Sequence, residues 1–104
     1  MRIALSLALA LIAAQAMAAS ADQTVGEKIA KAECASCHAI GPDAEAKSPD
    51  SKAPRFLDVA KMPSTTELSL KVFLRSSHRN MPNFILGREE IDSIASYILG
   101  LGGK

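Results

Sequence analysis

Apolar residues recur at helical spacing in three separate stretches of this chain of 104 residues. The first stretch carries the stripe Val25, Ile29 and Ala32 and leads toward a pair of cysteines. Thr24 and Glu27 match a capping box, the Ser/Thr-x-x-Glu pattern that satisfies free N–H groups at a helix start. The pattern therefore predicts a first helix that begins at Thr24 and runs toward the cysteines.

The middle stretch is predicted to be a second helix, opened by the capping box Ser64-Thr65-Thr66-Glu67. We expect this helix to end near Ser76-Ser77. Met62 lies just ahead of the cap, where an apolar residue commonly packs back as a hydrophobic staple. The apolar positions of the helix are Leu68, Leu70, Val72, Phe73 and Leu74.

The last stretch is predicted to be a helix that begins after Gly87 and ends at Gly102-Gly103. Its first turn is acidic, which suits the positive end of the helix dipole. Residues 39–56 contain three prolines among small and charged residues and are predicted to be a loop. The chain is therefore expected to be all-α, with three main helices and no internal repeat. The apolar stripe of the last helix is Ile91, Ile94, Ala95 and Ile98.

Residues 1–21 have the pattern of a cleaved export signal, and residues 22–104 form the mature domain. Arg2 precedes the apolar run 3–14, and small residues follow it. Ala-x-Ala patterns predict cleavage after Ala18 or Ala21. The alternative is an uncleaved membrane anchor, since residues 3–21 approach the roughly 20 apolar residues that span a bilayer. Export would place the domain in the periplasm.

The charge and size of the mature chain narrow its function. Removal of Arg2 leaves 11 basic residues out of 12, against 11 acidic ones, so the chain has no basic excess for nucleic acid. Large apolar side chains are few, and there is no tryptophan. A small domain of this kind usually needs a disulfide, a metal or a cofactor to stabilise it.

The candidate chemistry lies in Cys34-Ala35-Ser36-Cys37-His38. A disulfide within this motif would restrain the unfolded chain little, because its loop is short. A redox dithiol of the thioredoxin type needs a βαβ setting, which the sequence lacks. A zinc site needs four ligands, and the motif supplies three, with His78 or a carboxylate left to complete it.

Covalent haem attachment uses every functional residue of the motif. Two thiols three positions apart on a helical turn can add to the two vinyl groups of one porphyrin. The imidazole of His38, directly after Cys37, is then held beneath the iron as an axial ligand. The motif therefore predicts one haem c with its iron, attached at Cys34 and Cys37.

With this motif the chain resembles the class I, mitochondrial-like c-type cytochromes in their short bacterial form. The resemblance covers nearly all of residues 22–104, and the motif lies near the start of the domain. A four-helix-bundle cytochrome c′ instead has its motif near the C-terminus. The segments that carry the resemblance are Gly26, residues 34–42, Ala53-Pro54-Arg55-Phe56, Asn80-Met81-Pro82-Asn83-Phe84 and the helix 89–98.

The resemblance implies two structural contacts. Gly26 would let the first and last helices cross closely, with Tyr97 and Ile94 as the candidates opposite it. Ala30 stands where the family often has an aromatic residue, so we expect a thinner crossing. The carbonyl group of Pro54 would accept the Nδ1 proton of the haem histidine and fix its ring.

The second axial ligand has three candidates: Met62, His78 and Met81. Met81 lies in an irregular stretch of about ten residues between helices, a length typical of functional loops. Asn-Met-Pro-Asn-Phe also matches the axial segment of the family. We therefore expect Met81 to bind the iron opposite His38, with His78 or an open position as the alternatives.

Two protein ligands leave no position for substrate or oxygen, so the chain is expected to be a one-electron carrier and not an enzyme. One alternative is a haem subunit permanently attached to a periplasmic oxidoreductase. The other is a gas-binding or peroxidatic haem protein, which requires an open iron.

The expected partners are a redox donor and acceptor, and the protein is expected to be a monomer that meets membranes only through partner complexes. No acidic residue occurs between Leu68 and Arg88. Four basic side chains there could steer the protein onto an acidic partner. The alternative is that they are ordinary solvated positions. These residues are Lys71, Arg75, Arg79 and Arg88.

Overall fold

The computed structural model describes residues 23–76, 81–82 and 84–104. Helix α1 covers residues 23–29 and continues as a π-helical turn, Ala30–Cys34. It is followed by α2 (Phe56–Lys61), α3 (Glu67–Arg75) and α4 (Arg88–Leu101). The described residues contain no strand, which confirms the all-α prediction with α1, α3 and α4 as its three main helices. The proposed export signal lies outside the described residues.

The predicted start of α1 is wrong, because residues 23 and 24 are already helical. Thr24 therefore lies within the helix and does not cap it. No helix in the described part of the chain is long and apolar enough to span a membrane.

The short helix α2 begins at the last residue of the predicted loop 39–56, and no helix was predicted for the rest of α2. Six residues are too few for an apolar period to show, so the sequence pattern does not reveal it. Met62 is the C-cap of α2 and is 47% exposed, so its predicted role as a staple for the next helix is wrong. The residue before the cap of α3 is Thr65, which is buried.

The cap of helix α3 is Thr66, two residues after the expected cap Ser64. Thr66 Oγ1 accepts a hydrogen bond from the Ser69 amide at 3.1 Å, and Ser69 Oγ accepts one from the Thr66 amide at 2.9 Å. This is a reciprocal capping box with serine in place of the usual glutamate. The predicted end of α3 is confirmed, since Ser76 is its C-cap.

Helix α4 is the centre of the core and packs against both α2 and α3. Its predicted bounds are confirmed, with Gly87 and Gly102 as the caps. All four residues of its predicted apolar stripe are buried. The core cluster is formed by Ala30, Cys34, Phe56, Ala60, Leu70, Ile94, Ala95, Tyr97 and Ile98.

Helices α1 and α4 cross closely at Gly26, as the resemblance implied. A Cβ built on Gly26 would lie 2.0 Å from the Ser93 carbonyl oxygen and 2.9 Å from Tyr97 Cβ. The prediction that Tyr97 lies opposite Gly26 is confirmed. The nearest atoms to this Cβ belong to the Ser93 backbone, whereas Ile94, the other predicted residue, is fully buried in the core cluster.

Candidate cofactor site

The two cysteines lie on consecutive turns at the end of α1. The π-helical turn ends at Cys34, and the amides of Cys37 and His38 donate to the Cys34 carbonyl oxygen at 3.2 and 2.9 Å. Single π-helical turns occur frequently at functional sites. Both thiols are free, so the alternative of a disulfide within the motif does not describe this structure.

The electrostatics of Cys34 do not favour a redox dithiol. Burial raises the pKa of the Cys34 thiol, and the neighbouring carboxylate of Glu33 raises that pKa further. Reactive dithiols have a lowered pKa, since the thiolate is the nucleophile.

The imidazole of His38 is held by the carbonyl group of Pro54. His38 Nδ1 lies 2.6 Å from the Pro54 oxygen, which confirms the contact that the resemblance implied. A carbonyl oxygen only accepts hydrogen bonds, so Nδ1 is the donor, and in the neutral form of the ring the lone pair lies on Nε2. A neutral imidazole with a free Nε2 is the form that binds a metal.

The ring of Phe56 packs beside the ring of His38, with centroids 5.2 Å apart and planes inclined by 48°. Phe56 is buried, and its amide donates to the Ala39 carbonyl oxygen at 2.9 Å. Sequence reasoning did not single out this contact, because Phe56 lay at the end of the predicted loop. Recognition of α2 would have placed it at the start of a helix.

The residues that follow His38 are fixed by two further parts of the chain. The Ala39 amide donates to Ser48 Oγ at 3.0 Å. Tyr97 Oη donates to the Ile40 carbonyl oxygen at 2.7 Å. Residues 38–40 are thus bound to the loop, to α2 and to α4, which holds the His38 backbone in one position.

The candidates for the second iron ligand differ in their surroundings. Met81 is half-buried in an irregular segment and precedes Pro82, which favours an extended backbone. Met62 instead lies at the end of α2, and its carbonyl oxygen accepts a hydrogen bond from Lys104 Nζ at 2.8 Å. The third candidate, His78, lies outside the described residues. So do Asn80 and Asn83.

The proposed basic surface is smaller than the sequence indicates. Lys71 Nζ lies 2.7 Å from a carboxylate oxygen of Glu67 and 3.1 Å from one of Asp92. The two carboxylates raise the pKa of Lys71 through hydrogen bonds, and Lys71 is therefore not a free cation. Arg75 and Arg88 are exposed. Arg79 lies outside the described residues.

The side chains of Cys34, Cys37, His38 and Phe56 fit haem c. They are two free thiols in the Cys-x-x-Cys-His arrangement that attaches haem c, an imidazole whose Nδ1 is already hydrogen-bonded, and a buried apolar ring beside that imidazole. The two thiols would hold the porphyrin covalently, and His38 would lie against its iron. The chain is thus built as a c-type cytochrome.

Comparison with known proteins agrees with this class. Residues 21–98 match the family described as cytochrome c oxidase, cbb3-type, subunit III. The chain is also similar to cytochrome c-552 of Bradyrhizobium diazoefficiens, with 38% identity over 92 residues, covering 88% of this chain and 86% of the relative. No solved structure matches the chain. The chain belongs to this cytochrome c family, and its cofactor is haem c with iron.

Proposed function

We propose that this protein is a periplasmic one-electron carrier whose haem iron is bound by His38 and Met81. The observation that carries the proposal is the 2.6 Å hydrogen bond from His38 Nδ1 to the Pro54 carbonyl oxygen. It leaves Nε2 of the ring available as a ligand, directly after a pair of free thiols. The family relationship supports an electron-transfer role.

The residues of the chain act as a rigid holder for the cofactor. Haem c supplies an iron that gains and loses one electron. The His38 ring contacts the Pro54 carbonyl oxygen and the Phe56 ring, so two other residues hold its orientation. A thioether from Met81 would stabilise ferrous iron and raise the potential, compared with a second histidine.

The periplasmic location rests on the leader sequence. Arg2, the apolar run 3–14 and the Ala-x-Ala patterns support export, with cleavage after residue 18 or 21. An N-terminal sequence of the mature protein, measured by mass spectrometry from the periplasmic fraction, tests this part of the proposal. An intact leader in a membrane fraction would favour the anchor instead.

A second candidate function is a haem subunit fixed in one oxidoreductase. The description of the matched family, a subunit of an oxidase, favours it. Size-exclusion chromatography of the native protein from mild extracts separates the two candidates. A carrier elutes as a free monomer of about 9–10 kDa, estimated from chain length, and a fixed subunit elutes with its enzyme.

The attachment of haem is tested by removing each thiol. Cys34→Ala and Cys37→Ala should each reduce covalent haem content and leave little folded protein, since the core is small. Acidified organic extraction followed by an optical spectrum of the protein measures covalent haem. Haem that leaves the wild-type protein during this extraction would contradict the attachment.

A further inference from the structure

Arg55 connects three parts of the chain around the histidine's partner, Pro54. Arg55 Nε donates to Asp58 Oδ2 at 2.8 Å, and Nη2 donates to Asp58 Oδ1 at 2.7 Å. Its third nitrogen, Nη1, donates to the carbonyl oxygens of Ala44 and Ala46. The guanidinium therefore binds a carboxylate of α2 with one edge and the backbone of the loop with the other.

The contacts of Arg55 bear on the orientation of the Pro54 carbonyl group. This carbonyl belongs to the peptide unit that joins Pro54 to Arg55, and such a unit is planar. Arg55 is also the N-cap of α2, with an extended backbone at φ −66° and ψ 142°. The proline ring fixes φ of Pro54 but not the ψ rotation that turns this peptide unit, whereas the other end of the unit belongs to Arg55, a residue fixed at its backbone and its side chain.

The pair of Arg55 and Asp58 remains ionised over a wide range of pH. Hydrogen bonds from Arg55 hold the pKa of Asp58 below its ordinary value. The Arg55 side chain is 28% exposed, and the Asp58 side chain is 54% exposed. Exposed ion pairs usually contribute little to stability, so the geometry of this pair matters more than its energy.

We propose that Arg55, held by Asp58 and the loop carbonyl groups, is a positioning residue for the axial histidine. It keeps the Pro54 carbonyl oxygen aimed at His38 Nδ1 and thereby sets the basicity of the imidazole. This inference rests on the proposed ligation of iron by His38. A well-aimed carbonyl group makes the imidazole a stronger donor and favours ferric iron.

The direction of the change in midpoint potential follows from the hydrogen bond between His38 Nδ1 and the Pro54 carbonyl oxygen. Without the guanidinium the peptide unit turns more freely, the hydrogen bond to Nδ1 weakens and the imidazole donates less strongly. Ferrous iron is then favoured, so the midpoint potential rises. A weaker bond also lets solvent reach the Nδ1 proton, which should therefore exchange faster.

The experiment compares haem-loaded wild-type protein with two variants that keep the net charge. Arg55→Lys retains the charge but cannot form the two-pronged bond. The double variant Arg55→Gln/Asp58→Asn removes both charges together. The readouts are the midpoint potential from redox titration and the exchange rate of the His38 ring N–H from proton NMR of the reduced protein.

The matched control is Glu27→Gln/Lys31→Gln. These residues form an exposed ion pair at 3.1 Å between α1 and the π-helical turn, in a different segment of the chain from Pro54 and Arg55. Its removal also leaves the net charge unchanged. The control should keep the wild-type potential and exchange rate.

In both Arg55 variants we expect the ferrous-to-ferric ratio at a fixed solution potential to rise by about threefold, which is roughly 30 mV at 59 mV per tenfold. We also expect faster exchange of the ring N–H. A wild-type potential with wild-type exchange in Arg55→Lys would overturn the positioning role, and so would an equal shift in the control. If the spectrum of the wild-type protein showed no histidine-bound haem, the proposed function itself would be overturned.

Discussion

The Cα of Gly26 faces the Ser93 carbonyl oxygen so closely that a Cβ at Gly26 would lie 2.0 Å from it. Glycine costs about 1 kcal/mol relative to alanine inside a helix. The close crossing of α1 and α4 explains that cost, because any larger residue would push the helices apart. The same crossing holds Tyr97, which reaches the segment after the haem motif.

Gly26→Ala should lower the free energy of unfolding by about 2–3 kcal/mol, since the overpacking outweighs the gain in helix propensity. Chemical denaturation of the haem-loaded protein measures this change. Gly41→Ala is the matched control, because a Cβ there has no atom within 4 Å. A Gly26→Ala protein as stable as wild type would mean that the crossing can widen freely.

Tyr97→Phe should lower the free energy of unfolding by about 1 kcal/mol, because it leaves the Ile40 carbonyl group without its partner. The ring, which is 9% exposed, keeps its packing. Burial raises the pKa of Tyr97, and Glu27 raises it further. The folded state thus holds this proton more tightly than the unfolded state does.

Wild-type stability should therefore fall as the pH rises above the ordinary tyrosine pKa. Tyr97→Phe should lose this alkaline contribution. Denaturation midpoints measured from neutral to alkaline pH compare the two proteins. Parallel curves over that range would contradict the role of the hydroxyl group.

Met81→Ala should abolish the weak far-red absorption of ferric iron bound to sulfur, lower the midpoint potential and open the iron to added ligands. Met62→Ala is the control and should keep all three properties, since Met62 lies at the end of α2 beside the C-terminal lysine. Optical spectra and redox titration measure the outcome. If Met62→Ala changed these properties and Met81→Ala did not, Met62 would be the iron ligand.

Arg75→Gln should slow electron transfer to an acidic redox partner at low ionic strength, and it should reduce the dependence of the rate on salt. Lys71→Gln should change the rate less, because Glu67 and Asp92 already neutralise Lys71. Stopped-flow rates with the native partner across a salt series test both. Equal effects of the two substitutions would contradict the distinction between exposed Arg75 and paired Lys71.

The positions of α3 and α4 could be predicted from sequence because their apolar stripes and terminal residues act locally. The end of α3 at Ser76 and both caps of α4 were predicted correctly. The cap of α3 was misplaced, because Ser69 replaces the glutamate of the usual pattern and several hydroxyl residues precede it. Helix α2 was missed because six residues carry too little periodicity.

The attachment chemistry could be predicted from the sequence, since the two thiols and the imidazole lie within five consecutive residues, 34–38. The contacts that distant residues make around this motif and on the surface could be identified only from the packing of the helices. Tyr97 reaches Ile40 across 57 positions, and Lys71 meets Asp92 on another helix. Spacing along the chain encodes local contacts, whereas contacts between distant residues depend on how the helices pack.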